Sequence, residues 1–211
     1  MIRAVIFDMD GLMIDSERLH YQAYQEVLKT CGIDFTLEQY LDFWGSDKDI
    51  CRRIVEKLKP NLSEQTLLEE KNKLFRDVYI HEVTPQPGLF KLLEFLKSKN
   101  YPMAVASSSQ MHEIKIVLET IGVINYFKEI VSAESVEHGK PAPDCYLLAA
   151  KKIGVEPEHC LVLEDAPKGV KAAKAAGMMC FAVPGMGFAL EQFSIADKVL
   201  GRGLDEVKKY L

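Results

Sequence analysis

Two hydrophobic patterns alternate along the chain. Short unbroken apolar runs at Val5-Ile6-Phe7, Met103-Ala104-Val105-Ala106, Ile130-Val131, Leu161-Val162-Leu163 and Cys180-Phe181-Ala182-Val183 read as strands buried on both faces. Lys198-Val199-Leu200 is a candidate sixth. Between them apolar residues recur at helical spacing, as in Leu89, Leu92, Leu93 and Leu96, or Ile114, Val117, Leu118 and Ile121 closed by Gly122. Strand and helix in alternation predict an α/β fold: a doubly wound parallel sheet with helices on both faces.

From Asp15 to about Val83 the strand pattern stops and only helical periods remain, which predicts an inserted all-helical unit. Asp15 or Ser16 is placed to cap a first helix carrying Leu19, Ala23, Val27 and Leu28, which ends near Gly32. Thr36 with Gln39 reads as a capping box opening a second, with Leu37, Tyr40, Leu41 and Trp44. A third carries Ile50, Ile54 and Leu58 and stops before Pro60; a fourth starts at Ser63 with Leu67, Leu74, Phe75 and Val78. Four short amphipathic helices make a small bundle. The expected division is 1–14 with 85–211 as the α/β core and 15–84 as a helical cap. The chain re-enters the core through the stiff Thr84-Pro85-Gln86-Pro87-Gly88 segment. Both crossings lie beside the end of the first strand, so the bundle is expected to act as a lid there.

Composition narrows the class. With 211 residues and 48% hydrophobic positions the chain can bury a substantial core. A net charge of −5 without a block of lysine and arginine argues against nucleic acid and for a small-molecule partner. The five cysteines, at 31, 51, 145, 160 and 180, are scattered and never spaced as Cys-x-x-Cys, which reads as buried thiols in a reducing compartment with no zinc site. No apolar stretch reaches the ~18 residues of a membrane span, and the acidic N-terminus is not a signal peptide. A cytoplasmic monomer is the expectation.

The chemistry gathers where apolar runs end. The first ends in Asp8-Met9-Asp10-Gly11. Side chains two apart in extended chain share a face, so both carboxylates can reach one ligand, and Gly11 permits a sharp turn behind them. The second ends in Ser107-Ser108-Ser109 just before a helix, an anion-binding arrangement. Gly139-Lys140-Pro141-Ala142-Pro143 fixes a cation in a rigid turn, and the fourth run ends in Glu164-Asp165. Singly, each has a plain structural explanation: a helix start, a solvated charge, a cap. Jointly they do not, because carboxylates converging from two strands repel unless a cation sits among them, and oxygen ligands favour Mg²⁺. A phosphoryl group bridging that ion, Lys140 and the Ser107 hydroxyl would then lie in line with an Asp oxygen.

Asp8-Met9-Asp10-Gly11, Val105-Ala106-Ser107, Gly139-Lys140-Pro141 and Glu164-Asp165 resemble, in order and spacing, the four motifs of the haloacid dehalogenase-like superfamily. The helical insertion resembles the cap of the branch containing β-phosphoglucomutase and small sugar-phosphate phosphatases. The resemblance implies that Asp8 is the nucleophile forming an aspartyl-phosphate and Asp10 the general acid/base. It implies that Ser107, Ser108 and Lys140 bind the phosphoryl group. Mg²⁺ would be held by Asp8, the Asp10 backbone carbonyl and Asp165, with support from Glu164. A receiver-like phospho-acceptor domain, the non-enzymatic alternative, has no use for Asp10 or for the inserted bundle.

Between phosphatase and mutase the chain divides. Ser16 and His20, four apart on one helix face, and Lys71 match positions that mutases use in the cap, although a lone His is as well explained as a structural residue. Against that, Lys48 stands where mutases carry a phosphate-binding Arg, and Met111 where they carry an Asn. A lysine is a point charge and a Met side chain donates nothing. The resemblance places specificity around Gly45 to Lys48 and Lys71. The expectation is a Mg²⁺-dependent phosphatase acting on a small phosphorylated metabolite such as a sugar phosphate, with a phosphosugar mutase as the alternative.

Overall fold

A computed structural model describes residues 1–44, 50–201 and 203–211. The chain divides into two compact units, Met1–Asp15 with Thr84–Leu211, and Ser16–Val83.

In the first unit the apolar runs form β1 (Ala4–Phe7), β2 (Met103–Ala106), β3 (Glu129–Val131), β4 (Cys160–Glu164), β5 (Met179–Ala182) and β6 (Lys198–Val199). They make one six-stranded sheet in the order β3-β2-β1-β4-β5-β6, and every pairing is parallel. Val5 pairs with Met103 on one side of β1 and with Leu161 on the other. All four residues of β1 and β2 and all five of β4 are buried, as continuous apolar strands between helical layers must be. The helices of this unit are α5 (Leu89–Ser98), α6 (Met111–Thr120), α7 (Asp144–Ile153) and α8 (Pro167–Ala175), here numbered after the four of the inserted unit. α5 buries Leu89, Leu92, Leu93 and Leu96, and α6 buries Ile114, Val117 and Leu118, matching the predicted stripes. Strand order reverses between β1 and β4. In a doubly wound sheet that reversal opens a crevice at the carboxyl ends of the two strands, which is where ligands bind.

The inserted unit contains α1 (Glu17–Thr30), α2 (Leu37–Trp44), α3 (Ile50–Leu58) and α4 (Glu64–Asp77). Tyr24, Leu28, Phe35, Tyr40, Ile54 and Leu67 form its own apolar core. Burying a side chain of this size contributes about 1.5–3 kcal/mol, so this small bundle has a core of its own to hold it together. The predicted box at α2 is present: the Thr36 N–H donates to Gln39 Oε1 at 3.0 Å and the Gln39 N–H to Thr36 Oγ1 at 3.2 Å. Two local expectations fail. Ser16 occupies the cap position of α1 but has φ −90° and ψ −20°, already helical, and its side chain accepts no capping bond. Ser63, extended at φ −73° and ψ 160°, does accept one, from the Thr66 N–H. Val78 follows the end of α4 and is exposed, so it is not part of that helix's buried face.

Candidate active site

The crevice between β1 and β4 is built by short turns. Asp8 follows β1 directly and is pinned by its N–H to the Leu163 carbonyl at 3.0 Å. The chain then reverses over Met9–Ile14, with the Met13 N–H on the Met9 carbonyl at 2.8 Å and the Gly11 N–H on the Ile14 carbonyl at 3.1 Å. Gly11 has φ +81°, and a Cβ there would run into the Asp165 carboxylate, so both the turn and the neighbouring acid demand glycine. Gln86 braces the turn by donating from Nε2 to the Gly11 carbonyl at 2.9 Å.

Lys140 is the hub. It is not at a strand end but in the loop between β3 and α7. Its Nζ donates to Asp8 Oδ1 at 2.5 Å, Glu164 Oε1 at 2.7 Å and the Ala106 carbonyl at 3.1 Å. Glu164, the last residue of β4, also accepts from the Tyr146 hydroxyl at 2.6 Å and from the Asp165 and Ala166 N–H groups, both at 3.1 Å. A Cβ on Gly169 would collide with the Glu164 carboxylate, so α8 approaches this acid only because residue 169 has no side chain.

Electrostatics follow from burial. Asp8 is pushed up to about 7, first by burial, with Glu164 and Asp10 adding to it and Lys140 opposing it. Burial works against the Lys140 charge, but Asp8 and Glu164 outweigh it and hold the ammonium above its ordinary value. Burial and then the Glu164 charge raise Tyr146 well above 10, so its hydroxyl remains a donor.

Asp8, Glu164 and Asp165, all buried, each place a carboxylate oxygen within 4.8 Å of the others. Three buried acids around one ammonium leave an excess of negative charge. A hard divalent cation with oxygen ligands fits such a donor set. The Asp10 carboxylate is turned elsewhere: its Oδ2 accepts from Ser109 Oγ at 2.8 Å and, more weakly, from Ser107 Oγ at 3.4 Å.

The structure thus brings together Asp8, Asp10, Ser107, Lys140, Glu164 and Asp165. Ser108 is in the same loop but exposed. Sequence reasoning missed Ser109, Gln86 and Tyr146. Ser109 stood in the noted serine cluster and Gln86 in the noted linker, whereas nothing in the sequence marked Tyr146. In the inserted unit, His20 stacks on Phe75 with centroids 4.1 Å apart, and Lys71 Nζ lies 5.4 and 5.5 Å from the Tyr24 and Phe75 rings. Lys71 also donates to Asn72 Oδ1 at 3.3 Å. Ser16 is buried on the same unit. Gly45 and Lys48 lie outside the described residues.

The model of the haloacid dehalogenase-like hydrolases matches residues 5–183. The chain belongs to that family. It is 37% identical over 177 residues to a fructose-1-phosphate phosphatase of Escherichia coli (strain K12), covering 82% of this chain and 92% of that protein. It is 32% identical over 200 residues to a β-phosphoglucomutase of Bacillus subtilis (strain 168), covering 86% and 83%. The crystal structure of CbbY from Rhodobacter sphaeroides in complex with phosphate superposes with a TM-score of 0.80 at 28% identity, covering 98% of this chain and 96% of that one.

Proposed function

We propose that this protein is a Mg²⁺-dependent phosphatase that hydrolyses a small phosphomonoester, a sugar phosphate or related metabolite, through Asp8. The observation that carries the reading is the meeting of Asp8, Lys140 and Asp165 at the crevice where strand order reverses. The sugar-phosphate class is supported by the 37% identical fructose-1-phosphate phosphatase and a 34% identical phosphorylated-carbohydrate phosphatase of Thermotoga maritima.

An Asp8 oxygen attacks phosphorus as the bond to the leaving oxygen breaks, and Asp10 delivers the proton that oxygen needs. Water then attacks the aspartyl-phosphate with Asp10 taking its proton, which restores both acids and releases phosphate. Lys140 and the Ser107 hydroxyl hold the phosphoryl oxygens, the lysine countering their charge in a buried site where water screens little. Asp8, Asp165 and the Asp10 backbone carbonyl would hold the ion, with Glu164 beside them. When bound, it supplies positive charge against the phosphoryl oxygens and the crowded acids.

The test is phosphate release from a panel of sugar phosphates and nucleotides, with Mg²⁺ and with excess EDTA. Release that EDTA abolishes and Mg²⁺ restores is expected; release from none of them overturns the reading.

A mutase reading is favoured by the 32% identical β-phosphoglucomutase. Against it, the Met111 side chain offers no hydrogen bond, and its backbone N–H is taken by Glu134 Oε2 at 2.9 Å. ³¹P NMR of β-glucose 1-phosphate with a sugar bisphosphate primer separates the two. Free phosphate supports the phosphatase, and glucose 6-phosphate without free phosphate supports the mutase.

A further inference from the structure

Tyr146 lies in no motif that drew attention in the sequence, yet it touches two residues of the site. It projects from α7 and is fully buried. Its hydroxyl donates to Glu164 Oε1 at 2.6 Å, and Lys140 Nζ sits 4.6 Å from its ring centroid. A carboxylate offers about four acceptor positions. On Glu164 all four donors are accounted for: Tyr146 and Lys140 on Oε1, the Asp165 and Ala166 N–H groups on Oε2.

An ammonium has three hydrogens. Lys140 directs them at the Ala106 carbonyl, Glu164 and Asp8. The Ala106 carbonyl is fixed by the sheet and the Glu164 carboxylate by its own donors, so the third hydrogen points along Asp8, where the phosphoryl group is to arrive. The aim of that hydrogen depends on Glu164 staying in one rotamer. The two backbone donors hold only Oε2; besides Lys140 itself, Oε1 is held by the Tyr146 hydroxyl.

We propose that Tyr146 is a positioning residue for phosphoryl binding, acting through Glu164 and through its ring face on the Lys140 ammonium. This rests on the role given above to Lys140. A role in packing alone would be filled equally well by phenylalanine, which keeps the ring and loses only the hydroxyl.

Tyr146→Phe, Glu164→Gln, the double variant and Lys140→Met should be compared with the parent, with thermal melting used to confirm that each is folded. Two readouts decide: kcat/KM for the best substrate of the panel, and the inhibition constant of inorganic phosphate. Tyr146→Phe is expected to lower kcat/KM roughly tenfold to a hundredfold, the worth of a hydrogen bond to a charged group, and to weaken phosphate inhibition in parallel. In the Glu164→Gln background the same substitution should change either readout less than about twofold, because coupled residues are not additive. Parental kcat/KM and phosphate inhibition in Tyr146→Phe, or additive losses in the double variant, would overturn the inference. If Tyr146→Phe or Glu164→Gln does not fold, Tyr146→Leu, which offers no donor, replaces the former and Glu164→Asp the latter, with the same criteria. Full activity of Lys140→Met would instead overturn the reading of the site itself, leaving the two failures distinguishable.

Discussion

Ser109 Oγ donates to Asp10 Oδ2 at 2.8 Å, across a separation of 99 residues. The Asp10 carboxylate is thereby tied to the loop after β2 and is not one of the three acids, Asp8, Glu164 and Asp165, that converge on a common point. Ser107 reaches the same oxygen at only 3.4 Å and is the residue expected to turn toward a phosphoryl group, which leaves Ser109 as the lasting partner of Asp10.

Ser109→Ala should therefore impair proton delivery and leave phosphoryl binding intact. General acid/base help is worth about 10²–10⁴ in rate, and a misaimed acid forfeits part of it. We expect kcat on an alkyl phosphate to fall about tenfold with little change in KM. Ser109→Thr should restore it. An aryl phosphate with a good leaving group should lose less; equal loss on both substrates would separate Ser109 from the proton-transfer step.

Gly169→Ala tests the approach of α8 to Glu164. The new methyl would occupy the space of the Glu164 carboxylate, which then has to leave Lys140. Overpacking of this kind costs about 1–3 kcal/mol. A lower melting temperature and at least a tenfold loss of kcat/KM are expected, and unchanged values of both would contradict the geometry.

Away from the site, Asp197 makes stability depend on pH. Burial raises its pKa, but hydrogen bonds from Lys174 Nζ at 2.7 Å and the Cys180 N–H at 2.8 Å outweigh that and hold it below 3.8. A depressed carboxylate stabilises the fold above its unfolded pKa and loses that contribution as pH falls through its folded value. Asp197→Asn should be less stable than the parent at neutral pH, with the difference shrinking below pH 3.8. A gap that stays constant down to acid pH in urea melts would contradict the assignment.

Legibility in the sequence tracked how local the cause was. Asp8 and Glu164 could be read because each directly adjoins a run of residues that can only be buried strand, and parallel strands deliver their ends to one edge. Tyr146 could not, because it sits at an apolar position of α7 and its function comes from a contact with β4 that no local pattern encodes. Of the three serines, Ser107 and Ser109 turn their hydroxyls toward Asp10 while Ser108 is exposed; spacing within a loop does not tell which hydroxyl turns that way. Ser16 failed as a cap because its backbone is already helical, which residue type alone does not reveal.

The central claim is that Asp8 is the nucleophile of a phosphomonoesterase. The most direct measurement is inorganic phosphate release by the parent and by Asp8→Asn, at matched concentration with Mg²⁺ and the best sugar phosphate of the panel. An amide cannot attack phosphorus, and the substitution barely changes the volume at the Lys140 contact. The parent should release phosphate continuously, and Asp8→Asn, folded by its melting curve, should release none above background. Turnover by Asp8→Asn at a rate near that of the parent would place the nucleophile elsewhere and contradict the account.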